Sequence, residues 1–463
     1  MALTGRGFLN ILYAAAEVAP YSKVGGLADV AASLPKALRS LGHDVRVLAP
    51  AHSPLPAEAV VARAAIPVLG VEETAAYFQP EEQVYLAANP NYFGEKAVYG
   101  EPDDLHRYYF FSLAVLQAPQ ALRWRPDVIH CNDWHTGWVP LGLRNYAMND
   151  TRYRGIASAL TIHNLAYRGP DAVSDILGPA IYYADAVNTV RPTYAREITS
   201  PEYGLGLEAL IGLRGSSLRG ILNGIDLEIY DPARDPALAA NYRPESLDRR
   251  AENKAALQDR MGLAVEPGTP LAGVVSRLDA QKGLDLLIPV IDQLVNQLGL
   301  QLVVLGSGAR PYEEALSEAT QRHPGRVQAV FAFRPDLAPL IYAGADLFVM
   351  PSRFEPCGLG QLIAMRYGAI PVVRRTGGLA DTVQDVAADL AKGTGFVFQD
   401  YQPQDLFDAL QRAVLAYNEE PPCSPGSWQR LVRGVMAQDH SWAAPARRYE
   451  EMYIDALRAM REA

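Results

Sequence analysis

Cysteine is nearly absent: Cys131, Cys357 and Cys423 are the only three in 463 residues, and they lie far apart. So sparse a set excludes a disulfide framework and has no zinc-ligand spacing, which is the usage expected in a reducing compartment. No run approaches the roughly eighteen consecutive apolar residues of a membrane-crossing helix. An excess of basic residues is missing too, since the formal charge is −10. That argues against nucleic acid or an acidic membrane as a general partner, so an anionic ligand would have to be met by local cations. The first residues lack the pattern of a secretory signal, because residues 10–16 read as a strand and Glu17 stands where a cleavage region needs small residues. Together these features predict a soluble, cytoplasmic protein. With 49% apolar and 20% charged residues the chain has an ordinary globular composition, and its length predicts two or three domains.

The chain opens with a βαβ pattern, which starts a parallel sheet. Residues 10–16 form a buried strand, Leu27, Val30, Ala31, Leu34 and Leu38 have helical spacing, and residues 44–50 form the next strand. Between strand and helix lies Lys23-Val-Gly25-Gly26. The glycines allow close backbone approach to a ligand and the lysine adds a compact charge, although a plain structural turn would read the same way. No Gly-Lys-Ser/Thr follows, as a Walker loop needs, and there is no Gly-x-Gly-x-x-Gly with a later acidic residue, as a nicotinamide dehydrogenase needs. Residues 51–105 read as irregular, with strand-like pieces and the aromatics Tyr92, Phe93 and Tyr99. They suit either a wall of a binding site or a structural elaboration. A strand at residues 127–130 runs into Cys131-Asn-Asp133-Trp134-His, and one at residues 156–162 runs into His163-Asn164. Polar residues at the carboxyl ends of neighbouring strands mark a site. The competing readings are a helix cap at Asp133, a core position for Trp134 and a structural His163. Short strands at residues 186–190 and 219–222 follow.

The chain turns polar over residues 230–270, with a solvated helix expected at residues 249–261, and the domain boundary is placed there, after residue 243. A second βαβ series then begins, with strands expected at residues 271–275, 301–305, 327–331, 346–350, 370–373 and 395–397 and a helix at residues 284–298. Arg277 and Lys282 flank its first strand–helix turn. After the strand at residues 346–350 comes Pro-Ser-Arg-Phe-Glu355-Pro-Cys357-Gly358-Leu359-Gly360-Gln-Leu. A carboxylate beside amides that open a helix suits a ligand carrying both hydroxyls and phosphate, such as a sugar nucleotide. An ordinary connection with a solvated Glu355 is the plainer alternative. Residues 441–463 form a last helix, with Ala446, Tyr449, Met452, Tyr453 and Leu457 on one stripe.

Taken in order, the segments starting at Lys23 (Lys-Val-Gly-Gly-Leu-Ala-Asp-Val), His130 (His-Cys-Asn-Asp-Trp-His), Thr161 (Thr-Ile-His-Asn), Ile221 (Ile-Leu-Asn-Gly-Ile-Asp), Ser276 (Ser-Arg-Leu-Asp-Ala-Gln-Lys-Gly), Pro351 (Pro-Ser-Arg-Phe-Glu-Pro-Cys-Gly-Leu) and Arg374 (Arg-Arg-Thr-Gly-Gly-Leu) closely resemble the glycogen and starch synthase family. Each motif alone is weak, but the ordered set spans nearly the whole chain. The resemblance implies an α/β GT-B glycosyltransferase with two Rossmann-like domains facing a cleft. Residues 1–243 would take the glucan acceptor, residues 244–440 would bind the nucleotide-sugar donor, and the helix of residues 441–463 would cross back to the first domain. It further implies metal-free, retaining transfer of glucose from ADP-glucose to the non-reducing end of an α-1,4-glucan, as in glycogen biosynthesis, with no nucleic-acid or membrane partner.

By motif match, Arg277 and Lys282 would neutralise the diphosphate, and Glu355 would bind glucose hydroxyls rather than act as base or nucleophile. His163 would contact the sugar. Lys23, Gly25, Gly26, Phe333 (stacked on adenine), Cys357, Gly358, Leu359, Gly360, Thr376 and Gly377 would bind the donor. Asp133, Trp134, Asn164 and Tyr92 would lie on the acceptor side. Two positions depart from the family pattern: Gly360 stands where a threonine is usual and Arg191 where a serine is usual. The alternatives are a UDP-glucose-dependent relative and a non-catalytic glucan-binding scaffold. Many UDP-glucose relatives carry a second glutamate where this chain has Ile363, and a scaffold would be expected to have lost Lys23, Arg277, Lys282 or Glu355, which are all present.

Overall fold

A computed structural model describes residues 7–171, 173–386, 392–418 and 426–462. Cys423 lies outside these described residues. The chain divides into two compact units, residues 1–224 with 441–463, and residues 225–440. No helix among the described residues is long and apolar enough to cross a membrane.

The first unit is built on a nine-stranded sheet: β1 (Asn10–Ala14), β2 (Asp44–Pro50), β3 (Val60–Val68), β4 (Val71–Glu81), β5 (Val84–Ala88), β6 (Val128–Asn132), β7 (Ala157–Ile162), β8 (Ala186–Thr189) and β9 (Arg219–Gly220). Their order is β3-β4-β5-β2-β1-β6-β7-β8-β9. The helix Gly26–Ser40 returns the chain from β1 to the parallel β2 and buries Leu27, Val30, Ala31, Leu34 and Leu38, the stripe expected from the spacing. Residues 51–105 are more regular than expected, because β3, β4 and β5 form an antiparallel addition to the sheet. Two features hide it in the sequence. The two-residue turn Leu69-Gly70 puts a leucine at φ +49°, outside the usual turn alphabet, and the middle of β3 is carried by the small side chains Ala62, Ala64 and Ala65, with Pro67 near its end.

The last helix, Ala443–Glu462, closes the first unit's core, where Trp442, Ala446, Tyr449, Met452, Tyr453 and Leu457 pack with Ile11, Tyr13, Leu34, Val128 and Ala157. Beneath it a row of polar side chains crosses the sheet. Tyr453 Oη lies 2.7 Å from His130 Nδ1, and His130 Nε2 lies 2.7 Å from Thr161 Oγ1. Thr161 donates to Asn188 Oδ1 at 2.8 Å, and Asn188 Nδ2 donates to Tyr449 Oη at 3.2 Å. Parallel strands are covered on both faces, so every polar group in such a row must find a protein partner.

The second unit carries a six-stranded parallel sheet: β10 (Leu271–Val275), β11 (Gln301–Leu305), β12 (Val327–Val330), β13 (Leu347–Met350), β14 (Ile370–Arg374) and β15 (Phe396–Phe398). Its order β12-β11-β10-β13-β14-β15 is that of a doubly wound Rossmann sheet. The unit begins at Ile225, about twenty residues before the boundary expected from the sequence. The polar stretch that suggested a linker is in fact anchored. Tyr242 donates to the Tyr367 carbonyl at 2.7 Å, Tyr367 donates to Asp235 at 2.5 Å, and Arg366 pairs with Asp231 at 3.0 Å. The helix Arg250–Arg260 is not simply solvated either. It buries Lys254, whose ammonium meets Asp346 at 2.7 Å. The helix expected over residues 284–298 is broken into Leu284–Leu287 and Ile291–Leu298 around Pro289.

Tyr453→Phe leaves the His130 ring without its partner on that side and is expected to cost about 1–3 kcal/mol. The check is a shift of the chemical-denaturation midpoint.

Candidate functional site

In each sheet the first strand sits beside the point where strand order reverses, and the loops leaving the carboxyl ends of the flanking strands form a crevice. In the first unit the switch lies between β1 and β6. Glu17, three residues beyond β1, is buried and accepts hydrogen bonds from the amides of Val24 at 2.5 Å and Gly25 at 3.2 Å. These amides were expected to face a ligand, but at Val24 and Gly25 they are occupied by the protein's own carboxylate. Lys23, the expected free cation, is 2.6 Å from Asp29. Tyr99 hydrogen-bonds to Glu17 and sets its ring 4.9 Å from that of His135. Burial raises the Glu17 carboxyl above the usual range, against the opposing pull of its amide donors.

On the far side of the switch, Asp133 follows β6 with φ +54° and ψ −171°, a backbone conformation normally left to glycine. Its Oδ1 accepts from the backbone amides of His163 at 2.7 Å and Asn164 at 3.4 Å, so the two strand-end motifs are joined through a carboxylate. The His163 ring places Nε2 2.8 Å from Asn132 Oδ1, and burial lowers its pKa to about 3. Asn164 Oδ1 accepts from the Ala166 amide at 3.0 Å. Trp134 is not available to a sugar: it is 3% exposed, edge-on to Tyr108 at 5.3 Å and 4.1 Å from the His135 ring. The three-residue 3₁₀ turn that begins at Trp134 tucks the indole under the helix Asp104–Ala121 rather than over the strand ends. Tyr92 is half-buried and stacks on Phe110 with centroids 4.4 Å apart.

In the second unit the switch lies between β10 and β13, and the loops that follow these strands are tied together. Lys282 Nζ is 2.7 Å from Glu355 Oε2, and Ser352 Oγ donates to the same oxygen at 3.0 Å. The Arg353 amide donates to the Gln281 carbonyl at 2.8 Å. Gly283 makes this approach possible: its φ is +72°, and a Cβ there would lie 2.0 Å from the Pro351 carbonyl oxygen. Glu355 is buried, and its Oε1 makes no hydrogen bond among the described residues. Arg277, half-exposed, meets Asp279 at 2.9 Å. The Gly378 amide donates to the Glu355 carbonyl at 2.8 Å, which brings the loop after β14 alongside. There Thr376 is buried with no partner for its hydroxyl among the described residues, and Gly377 follows at φ +42°.

The helix Gly360–Arg366 opens after Cys357, Gly358 (φ +66°) and Leu359. Gln361 turns back to the Gly358 carbonyl at 2.7 Å. A Cβ on Gly360 would lie 3.2 Å from the Phe348 ring and 3.4 Å from the Met350 sulfur, so a larger residue is accepted only if these neighbours give way. Phe333 lies beyond the end of β12 with 67% of its surface exposed, a free aromatic face.

Sequence reasoning missed Glu17, Asn132 and Ser352, and gave Tyr99 no role beyond the aromatic cluster of residues 51–105. For Glu17 a signal was present, since an acidic residue directly after a fully apolar strand end has to be either solvated or satisfied. Burial pushes the Asp133 carboxyl up to about 7, opposed by the His163 and Asn164 amides and reinforced by the Glu17 charge. A carboxyl that binds its proton more tightly in the fold than in the unfolded chain favours the fold at low pH. That contribution is lost as pH rises from the ordinary aspartate range near ~3.9 toward the folded value. The expected observation is a carboxyl ¹³C titration with a midpoint near pH 7 that disappears in Asp133→Asn.

Residues 10–212 match the starch synthase catalytic domain family, and residues 258–421 match the glycosyl transferases group 1 family. A glycogen synthase of Moorella thermoacetica is 46% identical, covering 98% of each chain, and one from Gloeobacter violaceus is 43% identical over 96% of this chain and 98% of its own. Among solved structures, the catalytic domain of starch synthase IV from Arabidopsis thaliana, bound to ADP and acarbose, superposes with a TM-score of 0.88. It is 35% identical and covers 97% of this chain and 99% of its own. A sucrose-phosphate synthase from Thermosynechococcus elongatus, 18% identical, shares the fold alone, with a TM-score of 0.67 over 97% of this chain and 100% of its own. With two Rossmann-like sheets and full-length relatives of this similarity, the chain belongs to the glycogen and starch synthase family of GT-B glycosyltransferases.

Proposed function

We propose that the protein extends an α-1,4-glucan by transferring glucose from ADP-glucose to the non-reducing end, with retention of configuration and release of ADP. The observation that carries this reading is the divided carboxylate of Glu355. One oxygen is bound by Lys282 and Ser352, and the other, also in a buried side chain, makes no hydrogen bond among the described residues. That free oxygen suits a glucose hydroxyl. In this reading Lys282 and Arg277 supply the positive charge that a diphosphate needs as it leaves, and stabilising that charge accounts for most of the barrier lowering when no residue is committed as nucleophile. The buried Thr376 hydroxyl, and the Leu359 and Gly360 amides, which donate to nothing among the described residues, are further groups in need of an anionic or hydroxylic partner. Gly377, Gly358 and Cys357 belong to the same donor wall, with Phe333 as a platform for adenine. The Arabidopsis relative's bound ADP supports adenine over uracil.

In the first unit, His163 is assigned to the sugar. Asp133, Asn164 and Tyr92 are assigned to the acceptor side, while Lys23, Gly25 and Gly26 border the donor. Trp134 is not assigned to the acceptor, because it is core. The reading requires no metal. It sets the enzyme in a reducing, cytoplasmic compartment, in keeping with three scattered cysteines.

The test compares ADP-glucose and UDP-glucose as donors to a maltooligosaccharide, with and without chelator. Elongation with ADP-glucose, insensitive to chelator, is expected, and elongation with UDP-glucose alone would overturn the donor assignment. Lys282→Ala and Arg277→Ala are each expected to lower turnover by about 100-fold or more, the scale of losing one donor to a developing anion. Near-normal turnover in either variant would remove that residue from its assigned role.

A further inference from the structure

Asn132, the last residue of β6, is fully buried, and its hydrogen bonds fix which way its amide points. Nδ2 donates to the Ala14 carbonyl oxygen at 2.9 Å. A carbonyl oxygen only accepts, so reversing the amide would set two oxygens against each other. Oδ1 therefore faces the other way, where it accepts from the Tyr13 hydroxyl at 3.0 Å and lies 2.8 Å from His163 Nε2. An amide oxygen has no hydrogen to give, so Nε2 must carry one.

Burial holds the His163 ring neutral over the ordinary pH range. A neutral imidazole with its hydrogen on Nε2 has only a lone pair at Nδ1. His163 is partly exposed, and Nδ1 makes no hydrogen bond among the described residues. We propose that Asn132 is a positioning residue that locks His163 in the Nε2–H tautomer, so that Nδ1 accepts a hydrogen bond from a hydroxyl of the bound sugar. The proposal rests on the reading of His163 as a sugar contact. It goes further in fixing the direction of that contact, because a hydroxyl can donate or accept and the tautomer decides which. A sugar hydroxyl that donates to His163 remains free to accept from another donor, whereas the opposite tautomer would offer a hydrogen to the sugar and set a lone pair against Asn132 Oδ1.

The test uses the full chain with ¹⁵N-labelled histidine and long-range ¹H–¹⁵N spectra, the His163 signals being identified by their absence in His163→Gln. The wild-type ring is expected to be protonated on Nε2, with Nδ1 at the shift of an unprotonated nitrogen. Asn132→Leu removes the acceptor. It is expected to move His163 toward the Nδ1–H form and to lower kcat/KM for the donor by about tenfold, the scale of one lost hydrogen bond. Asn132→Gln keeps both an amide donor and an acceptor oxygen and is expected to keep the hydrogen on Nε2. A wild-type ring protonated on Nδ1 overturns the proposal. So does an Asn132→Leu protein in which tautomer and kcat/KM fail to change together. Should the leucine variant not fold, the wild-type and Asn132→Gln spectra decide. The spectra are recorded on the resting protein, so failure of the glucosyl-transfer reading would show separately, as a wild type inactive with ADP-glucose.

Discussion

A carboxylate taken out of water must be given donors, and this constraint shapes the candidate site in both units. Glu17, Asp133 and Glu355 are all buried near the carboxyl ends of parallel strands. Each meets the demand differently. Glu17 takes the amides of a glycine turn, Asp133 takes two amides at the end of the neighbouring strand, and Glu355 takes an ammonium and a hydroxyl. In every case the carboxylate joins segments that the sheet alone would leave independent. Glu17 fixes the turn after β1, Asp133 holds the strand end that carries His163, and Glu355 ties the loop after β13 to the loop after β10. Within each unit, the same hydrogen bonds that make burial tolerable therefore set the geometry at the strand ends.

Below the strand ends the first unit uses neutral polar groups for the same purpose. The row from Tyr453 through His130, Thr161 and Asn188 to Tyr449 links three strands to the last helix. Beside it, Tyr13, whose ring meets that of His130 edge-on at 4.7 Å, donates to Asn132, which in turn holds the His163 ring. A chain of satisfied hydrogen bonds in a low-dielectric interior is rigid and costly to break, so it orients a ring with little freedom to spare.

Much of this could be read from the sequence, and the exceptions have physical causes. Parallel strands such as β10, β11 and β13 are short apolar runs closed by glycine, proline or polar residues, and their placement was accurate to a residue or so. The motifs at Asp133, His163, Arg277, Lys282 and Glu355 were visible because they follow such runs directly. Pairings across the sheet were not visible: nothing local says that Glu17 occupies the glycine-turn amides or that Lys282 already rests on Glu355. Trp134 misled because a polar neighbourhood in sequence is not an exposed one in space, and the 3₁₀ turn buries it. The boundary was misplaced because residues such as Asp231, Asp235 and Tyr242 look like linker until their partners Arg366 and Tyr367, over a hundred residues later, are known.

The order in which the chain is made bears on how the first unit is completed. Its apolar core includes Trp442, Tyr449, Met452 and Tyr453, which leave the ribosome after the whole second unit, because residues 225–440 form an unbroken segment. The second unit thus has all its strands available before the first can cover its sheet, the reverse of the usual N-terminal-first sequence for multidomain chains. Until residues 441–462 emerge, the apolar groups around Tyr13, Val128 and Ala157 lack their covering helix. A nascent chain stalled near residue 440 would therefore carry a closed second unit and an open first one, a natural point of attachment for a chaperone.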